Sequence, residues 1–551
     1  MRNRVFIGVV ALWSTALSLF LSAPAAPAQS TLRFRIAEQD VSAVSELLDR
    51  GRTLESQRRW GEALTLYEDS LREHPDHAPL KERMSIARLH YDVVRRYDDT
   101  SFRSSLAQLS PERALALYSE VLLKIESHYV HQPDFSQLLD RGTVALEVAM
   151  IEPAFAHRHL HNVPADQINR FRGAVRDPGR VRPVRTRQDA RSRVDEVARL
   201  ANAMLGVNST AVILEYLCGA ANSLDPYSTY LTSDELDEVY SQIEGNFVGL
   251  GVELKADAGS LLIVNVITGS PAARAGIVDG DRIVAVDGQS TKELSTDQAA
   301  DLLQGPEGST VRVDVVSSRP ESRPRRLTVR REHVEVPSVD DVKIVDATYG
   351  VGYLKLTTFQ KTTTSDLTKA LWTLHKQGMK SLIMDLRGNP GGLLTSSVEA
   401  VDKFVQHGTI VSTRGRGDGE DFSYTAHERD TWRMPLVVLI DGDSASASEI
   451  FAGAIREHRR GTIVGARSYG KGSVQGIFPL GGANSGVRLT TAKFYSPTGR
   501  PYSGVGVEPD VIVRRTARPV EGEAGQPALL ADSDLILDAG LEVLRRQMAR
   551  R

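Results

Sequence analysis

The stretch that most constrains the fold is a switch of periodicity. A strand-like apolar run, Pro435-Leu-Val-Val-Leu-Ile440, passes through Gly442-Asp-Ser-Ala-Ser-Ala-Ser448 into a helix-like run, Glu449-Ile-Phe-Ala-Gly-Ala-Ile455. The same rhythm surrounds it. Gly352–Leu356, Ser381–Leu386 and Gly461–Val464 read as strands, and Thr364–Gly378, Leu393–His407 and Ser446–Arg459 as helices. Strands alternating with helices predict a layered α/β sheet with helical cover from Val339 to about Val513.

A strand-to-helix switch is also where a small hydroxyl residue can present an attacking oxygen, because the helix start offers free backbone N–H groups to a developing oxyanion. Ser444, Ser446 and Ser448 all lie there; Ser448 would fall inside the helix and Ser444 before the turn. A glycine-bracketed elbow is absent, since Gly442-Asp-Ser-Ala-Ser lacks the second glycine. A serine hydroxyl needs a neighbour to remove its proton. His458 follows the helix as a local histidine, and Lys471 lies in the glycine-flanked loop Ser468-Tyr-Gly-Lys-Gly-Ser-Val-Gln475. A lysine base has to be neutral near pH 7, which requires its pKa to fall by roughly three units, or about 4 kcal/mol. Such an amine has to be enclosed.

With 551 residues, 41% of them hydrophobic and 25% charged, the chain is long enough for two to four globular domains. A net charge of −3 gives no global attraction to nucleic acid or an anionic membrane. The single cysteine, Cys218, excludes disulfides within the chain and a cysteine-based zinc site. At the N-terminus, Arg2 and Arg4 precede an apolar run from Val5 to Leu21, and Ala26-Pro27-Ala28 offers a small-x-small cleavage site. This predicts a signal peptide over 1–28 and an exported body, periplasmic or extracellular; an uncleaved run would tether it to a membrane.

Residues 44–77 carry a two-helix pattern, with Leu47, Gly51, Leu54, Ala63, Tyr67 and Pro75 on the spacing of one tetratricopeptide unit; a plain helical hairpin is the alternative. A single repeat cannot bury its own face, so a protein partner or neighbouring helix is expected. Residues 111–150 follow as helices. Arginines then crowd between Arg170 and Arg193, which predicts a solvated linker or exposed insert. His157, His159 and His161 would share a face if extended, but no acidic or cysteine partner sits at ligand spacing, and no metal is expected. Val194–Asn222 returns to helix and is ended by Asp225-Pro226 in Ser223-Leu-Asp-Pro-Tyr-Ser-Thr-Tyr-Leu231.

From Tyr240 to Glu332 the pattern turns to short strands. The run Ser270-Pro-Ala-Ala-Arg-Ala-Gly276 followed by Gly280-Asp-Arg-Ile-Val-Ala-Val-Asp-Gly288 resembles a PDZ domain of the circularly permuted type found in bacterial proteases. Such a domain holds a peptide's C-terminal carboxylate on backbone N–H groups and adds the peptide as an edge strand. The resemblance implies that Gly249, Leu250, Gly251 and Val252 form the carboxylate loop.

Four separated segments then resemble the C-terminal processing peptidases, or tail-specific proteases. They are Asp225-Pro-Tyr-Ser-x-Tyr230, Asp385-Leu-Arg-Gly-Asn-Pro-Gly-Gly392, Ser444-Ala-Ser-Ala-Ser-Glu-Ile450 with Gly465-x-x-Ser-x-Gly-Lys-Gly-x-x-Gln475, and Gly504-x-Gly-Val-x-Pro-Asp510. The resemblance implies a serine endopeptidase with a Ser–Lys dyad: Ser446 as nucleophile, Lys471 as base and Gln475 orienting the base, with Glu449 as an acidic neighbour. It also implies a crotonase-like α/β core and no metal or organic cofactor. The N–H of Ala447 is one oxyanion donor; the second comes from Gly391 or Gly392, with Gly392 favoured.

The expected organisation is a signal peptide (1–28), a tetratricopeptide-like helical region (29–105), the N-terminal helical part of the protease with an insert at 151–209 (106–239), a PDZ domain (240–333), the peptidase core (334–515) and a C-terminal helical tail (516–551). Expected partners are proteins with apolar C-termini. Two other readings are a non-catalytic secreted PDZ/tetratricopeptide scaffold and a crotonase-like acyl-thioester enzyme; intact Ser446, Lys471 and Gln475 count against the first, and the PDZ and signal segments against the second.

Overall fold

A computed structural model describes residues 44–177, 183–257, 260–292, 302–303, 305–317, 324–428, 430–513 and 534–550. The signal segment, residues 29–43 of the expected helical region and the first part of the C-terminal tail lie outside them. Two compact units divide the chain at Val93/Val94.

In the first unit, α1 (44–56) and α2 (Trp60–Glu73) form a helical pair, followed by the start of α3 (Ala78–Asp98). The pair closes on Gly51, where an added Cβ would stand 2.2 Å from the Tyr67 hydroxyl. That hydroxyl donates to Glu55 at 2.7 Å, and Arg83 pairs with the same carboxylate. Trp60 stacks on His90 with ring centroids 4.0 Å apart.

In the second unit, helices come first: α4 (Thr100–Gln108), α5 (Pro111–His128), α6 (Phe135–Ile151), α7 (Pro153–His159), α8 (Ala165–Arg176), α9 (Arg187–Leu205) and α10 (Ser209–Asn222). α10 is buried on every side from Thr210 to Ala221. It crosses α6 at two glycines: a Cβ on Gly219 would stand 2.7 Å from the Gly142 Cα. Helix propensity alone favours alanine over glycine by roughly 0.5–1 kcal/mol. Here the close backbone approach reverses the sign, and Gly219→Ala should lower stability by about 1–3 kcal/mol, read as a fall in the denaturation midpoint. A raised midpoint would show that the crossing has slack.

One expectation is corrected in this region. The arginine-rich stretch is largely helix: Arg170, Arg172 and Arg176 lie on α8, and Arg187, Arg191 and Arg193 on α9. Arginine is a good helix former, Thr186 and Asp189 close a capping box at the start of α9, and Arg172 and Arg176 pair with Glu147. The three histidines do not alternate on a strand. His157 and His159 end α7, and burial among aromatic rings pushes His159 down to about 4. Among the described residues no cluster of His, Cys, Asp and Glu could hold a metal ion, and no helix is long and apolar enough to cross a membrane.

β1 (Thr229–Leu231) and α11 (Ser233–Glu244), the latter begun by a Thr232/Glu235 capping box, lead into a small β unit. Its strands are β2 (Asn246–Gly249), β3 (Val252–Asp257), β4 (Ser260–Val266), then, after the short α12 (Pro271–Arg274), β5 (Arg282–Val286), β6 (Gln289–Ser290), β7 (Thr310–Val316), β8 (Arg325–Arg330) and β9 (Glu332–Glu335). The sheet order β3-β4-β5-β7-β8 leaves β3 with one open edge among the described residues, and β2 pairs with β9 where the chain enters and leaves. Alternating burial along β7 packs Val311, Val313 and Val315 into a separate core.

The remaining chain adds β10 (Val339–Asp346), β11 (Val351–Leu356), α13 (Thr363–Lys376), β12 (Ser381–Asp385), α14 (Leu394–Asp402), β13 (Thr409–Gly415), β14 (Phe422–Thr425), β15 (Leu436–Ile440), α15 (Ala447–Glu457), β16 (Thr462–Gly465), β17 (Ser473–Leu480), β18 (Ser485–Tyr495), β19 (Val511–Ile512) and α16 (Leu535–Ala549). One sheet runs β10-β11-β12-β15-β16-β19 and is parallel from β11 to β19. α13, α14 and α15 cover one face, and α16 covers the other through Leu544. The fully buried residues of β12 and β15 are those of strands covered on both faces. A second sheet, β1-β18-β13-β14 with β17 on β18, flanks this core.

Candidate active site

The paired parallel strands β12 and β15 end beside each other, with Asp385 opposite Leu439. The turns that follow them are bound together. Gly388 N–H donates to Asp441 Oδ1 at 3.0 Å, and Ser444 Oγ donates to the Leu386 carbonyl at 2.8 Å. Asn389 holds three elements at once. Its Nδ2 donates to the Leu356 carbonyl at 2.8 Å, its Oδ1 accepts the Gly391 N–H at 2.9 Å, and its carbonyl accepts the Ala445 N–H and the Ser448 hydroxyl, each at 3.0 Å. The glycine turn is thereby pressed against the serine turn. A Cβ on Gly391 would stand 2.8 Å from the Ser446 Cβ, and one on Gly392 would stand 2.0 Å from the Phe359 carbonyl oxygen.

This packing separates the three serines. The hydroxyls of Ser444 and Ser448 are buried and donate to backbone carbonyls. Ser446 sits at the N-cap of α15 with φ +55° and ψ −112°, a region that a residue with a side chain rarely adopts, and its hydroxyl is bound to no carbonyl among the described residues. The strain is held by Glu449, whose Oε2 accepts the Ser446 N–H at 2.8 Å.

Glu449 is fully buried and also holds the lysine loop. Its Oε2 accepts the Lys471 N–H at 2.8 Å, and its Oε1 accepts the Gly470 N–H and the Ser468 hydroxyl, each at 2.6 Å. Ser446 and Lys471 therefore bind one oxygen atom through their backbones, and their nitrogens lie within twice 2.8 Å of each other. Burial pushes the Glu449 carboxyl up, against the pull of its four donors.

The Lys471 amine lies 4.8 Å from the centre of the Tyr227 ring. It makes no hydrogen bond to Ser446 Oγ or to Gln475 among the described residues. Burial, and after it the like charge of Arg488, bring this amine below the ordinary lysine value, opposed by Glu449 and Asp225. Gln475, on β17, donates its amide to Ser473 at 3.0 Å and Thr490 at 3.3 Å. The expected contact of Gln475 with the amine is thus not formed; the bulge between Val474 and Gln475 sets the glutamine against β18 instead.

Tyr227 comes from the Asp225-Pro-Tyr-Ser turn, read from sequence as a helix stop and as one of the segments that carry the resemblance, with no role given to its tyrosine. Asp225 accepts from the N–H groups of Tyr227 and Ser228 and from the Ser228 hydroxyl, and Ser228 Oγ in turn accepts the Thr490 N–H at 3.1 Å. The turn is thereby fastened to β18 and its tyrosine is laid over the amine. His458 is far from this chemistry: it caps the opposite end of α15, and its Nε2 is 2.7 Å from the Thr409 carbonyl oxygen. Two backbone donors beside Ser446, the N–H groups of Ala447 and Gly392, have no partner among the described residues, whereas that of Gly391 is committed to Asn389.

In the β unit, Gly251 has φ +80°, and a Cβ there would stand 2.3 Å from the Ser270 Cβ. The carbonyls of Leu250 and Gly251 accept from Ala272 (2.9 Å) and Ile267 (3.0 Å). The N–H groups of Leu250 and Gly251 have no partner among the described residues, at the head of the open edge of β3.

Comparison with known proteins agrees with this architecture. Peptidase family S41 matches over residues 350–513, and a PDZ domain over residues 262–317. A carboxy-terminal-processing protease of Bartonella bacilliformis is 37% identical over 322 residues, which are 58% of this chain and 72% of that protein. A carboxyl-terminal-processing protease of Synechocystis sp. is 33% identical over 295 residues, which are 53% of this chain and 68% of that protein. A solved photosystem II D1 C-terminal processing protease is 26% identical, covers 73% of this chain and 92% of its own, and superposes with a TM-score of 0.38. An apolar-stranded α/β core, a serine presented at a helix start and a PDZ insertion thus coincide with matches spread over both segments, and the chain belongs to peptidase family S41, the serine peptidases that hydrolyse peptide bonds.

Proposed function

We propose that this peptidase is an exported endopeptidase that cleaves proteins near their C-termini with a Ser446–Lys471 dyad. The observation that carries the reading is the shared Glu449 oxygen, which sets the backbones of both residues side by side. The lysine stem is long and flexible, so the amine can leave the Tyr227 ring and reach Ser446. It then takes the hydroxyl proton as Oγ attacks the scissile carbonyl, and passes that proton to the departing amine. Water next attacks the acyl-ester with Lys471 again as base, and Ser446 recovers its hydrogen. The oxyanion binds the N–H groups of Ala447 and Gly392; Gly392 is chosen over Gly391 because its N–H is uncommitted. Gln475 turns its carbonyl to the amine in the working arrangement, which that oxygen is free to do.

The core is of crotonase type in this reading, and the first unit is tetratricopeptide-like and takes a protein partner. The apolar Val5–Leu21 segment supports export. The PDZ domain holds the substrate tail with its carboxylate on Leu250 and Gly251 and its backbone along Val252 and the rest of β3 after Gly249. Full-length protein should therefore digest a soluble protein ending in an apolar tail and spare the same protein with a polar tail. Amidating the C-terminus of a tail peptide removes the charge that the loop receives, and should weaken binding about tenfold or more in fluorescence polarisation. Equal affinity for the acid and the amide would remove the carboxylate loop from the scheme.

A further inference from the structure

Arg488 is part-buried on β18, directly across the sheet from Ile477 of β17 and Thr229 of β1. It makes no ion pair among the described residues. One of its donors, Nε, binds the Tyr227 carbonyl at 3.1 Å; this is the residue whose ring covers the Lys471 amine at 4.8 Å. A guanidinium withdrawn from water without a direct ion pair is costly.

Among the described residues, the charged and titratable groups facing the amine or its Tyr227 cover come from four elements. Asp225 and Tyr227 come from the turn after α10, Glu449 from α15, Tyr469 from the lysine's own loop, and Arg488 from β18. Glu235, Arg95 and Asp225 act in turn on Arg488. Both carboxylates near the amine are occupied: Asp225 receives three hydrogen bonds and Glu449 four. The positive charge of Arg488 is offset only through space, by Glu235 and Asp225, and without an ion pair among the described residues.

We propose that Arg488 is a positioning residue for the dyad: bound through Nε to the Tyr227 carbonyl, it holds that ring as the cover over the Lys471 amine and brings a second positive charge to the same turn. A neighbouring cation is one of the known ways to ready a lysine for base work. This role depends on the dyad reading above.

The test is the pH profile of kcat/KM for a tailed protein substrate. The rate rises with pH as Lys471 loses its proton. Arg488→Gln keeps a donor near the Tyr227 carbonyl but removes the charge, and should move the midpoint of that rise up by about one pH unit. Arg488→Lys keeps the charge and loses the Nε bond, so its rate should fall with the midpoint near the wild-type position. Arg488→Met, which retains an apolar stem, replaces the glutamine variant should that one not fold. A midpoint unmoved in Arg488→Gln or Arg488→Met, or moved as far in Arg488→Lys, overturns the proposal. The dyad is checked separately: proteolysis surviving in Lys471→Ala sinks the dyad, whereas an inactive Lys471→Ala beside an unmoved midpoint sinks only the role of Arg488.

Discussion

Lys471→Ala should leave a folded protein that cleaves a tailed substrate at least about 10³-fold more slowly than wild type, as expected when the base that activates a nucleophile is removed. The variant should fold because the lysine's structural contribution is its backbone N–H, held by Glu449 at 2.8 Å, and alanine keeps that bond. Burial of the amine is a cost that alanine does not carry. Lys471→Arg separates charge from basicity: arginine keeps the charge but cannot deprotonate, and should be as inactive as alanine. Ser446→Ala should match them, since the two residues act on one step and their effects do not add.

The wild-type profile carries the same argument in its sign. The working amine is the neutral form, and enclosure favours that form, so the rise in kcat/KM is complete at a lower pH than an exposed lysine would permit. Activity should fall as the pH drops through the lowered value, about tenfold per unit below it. A profile rising only near the ordinary lysine value, or a fully active Lys471→Arg, would remove lysine from the role of base.

Changing Glu449 should be the most damaging substitution away from the reacting atoms. Its carboxylate accepts from Ser446, Lys471, Gly470 and Ser468, so Glu449→Ala leaves three N–H groups and the hydrogen of the Ser468 hydroxyl without this acceptor. Each unsatisfied buried donor costs about 1–3 kcal/mol, reduced where water enters the space left behind. A loss of roughly 3–5 kcal/mol is expected, measured in denaturant, together with at least about 10²-fold of activity as the strained Ser446 turn relaxes. Glu449→Gln keeps the shape but turns an NH₂ toward N–H donors, so it should fall between wild type and alanine in both measurements. A fully active and fully stable Glu449→Gln would show that this carboxylate is not what unites the two segments.

Much of the core was legible because its signals are local. The predicted strands at Gly352–Leu356, Ser381–Leu386, Pro435–Ile440 and Gly461–Val464 became β11, β12, β15 and β16, displaced by a residue or so at their ends. Those stretches are apolar because both faces of the sheet are covered. The strands β13, β14, β17 and β18 were not anticipated. β14 is mostly exposed and β17 lacks a strong burial pattern, so their pairing rests on partners distant in the chain. The arginine-rich stretch misled for a related reason: charge density suggested a linker, while propensity and Glu147 on another helix made it helical.

By itself, the sequence determined the layered α/β rhythm, the serine and lysine segments, the glycine turn and the PDZ-like strands, because each is a pattern of neighbouring residues. The tertiary structure decided which serine hydroxyl is free of a carbonyl, which glycine N–H is uncommitted, and that Tyr227 and Arg488 surround the amine. These depend on hydrogen bonds and charges between segments far apart in the chain, such as Asn389 with Ala445 and Tyr227 with Arg488. Spacing along one segment carries no record of such meetings, since they exist only once separate strands and turns have packed together.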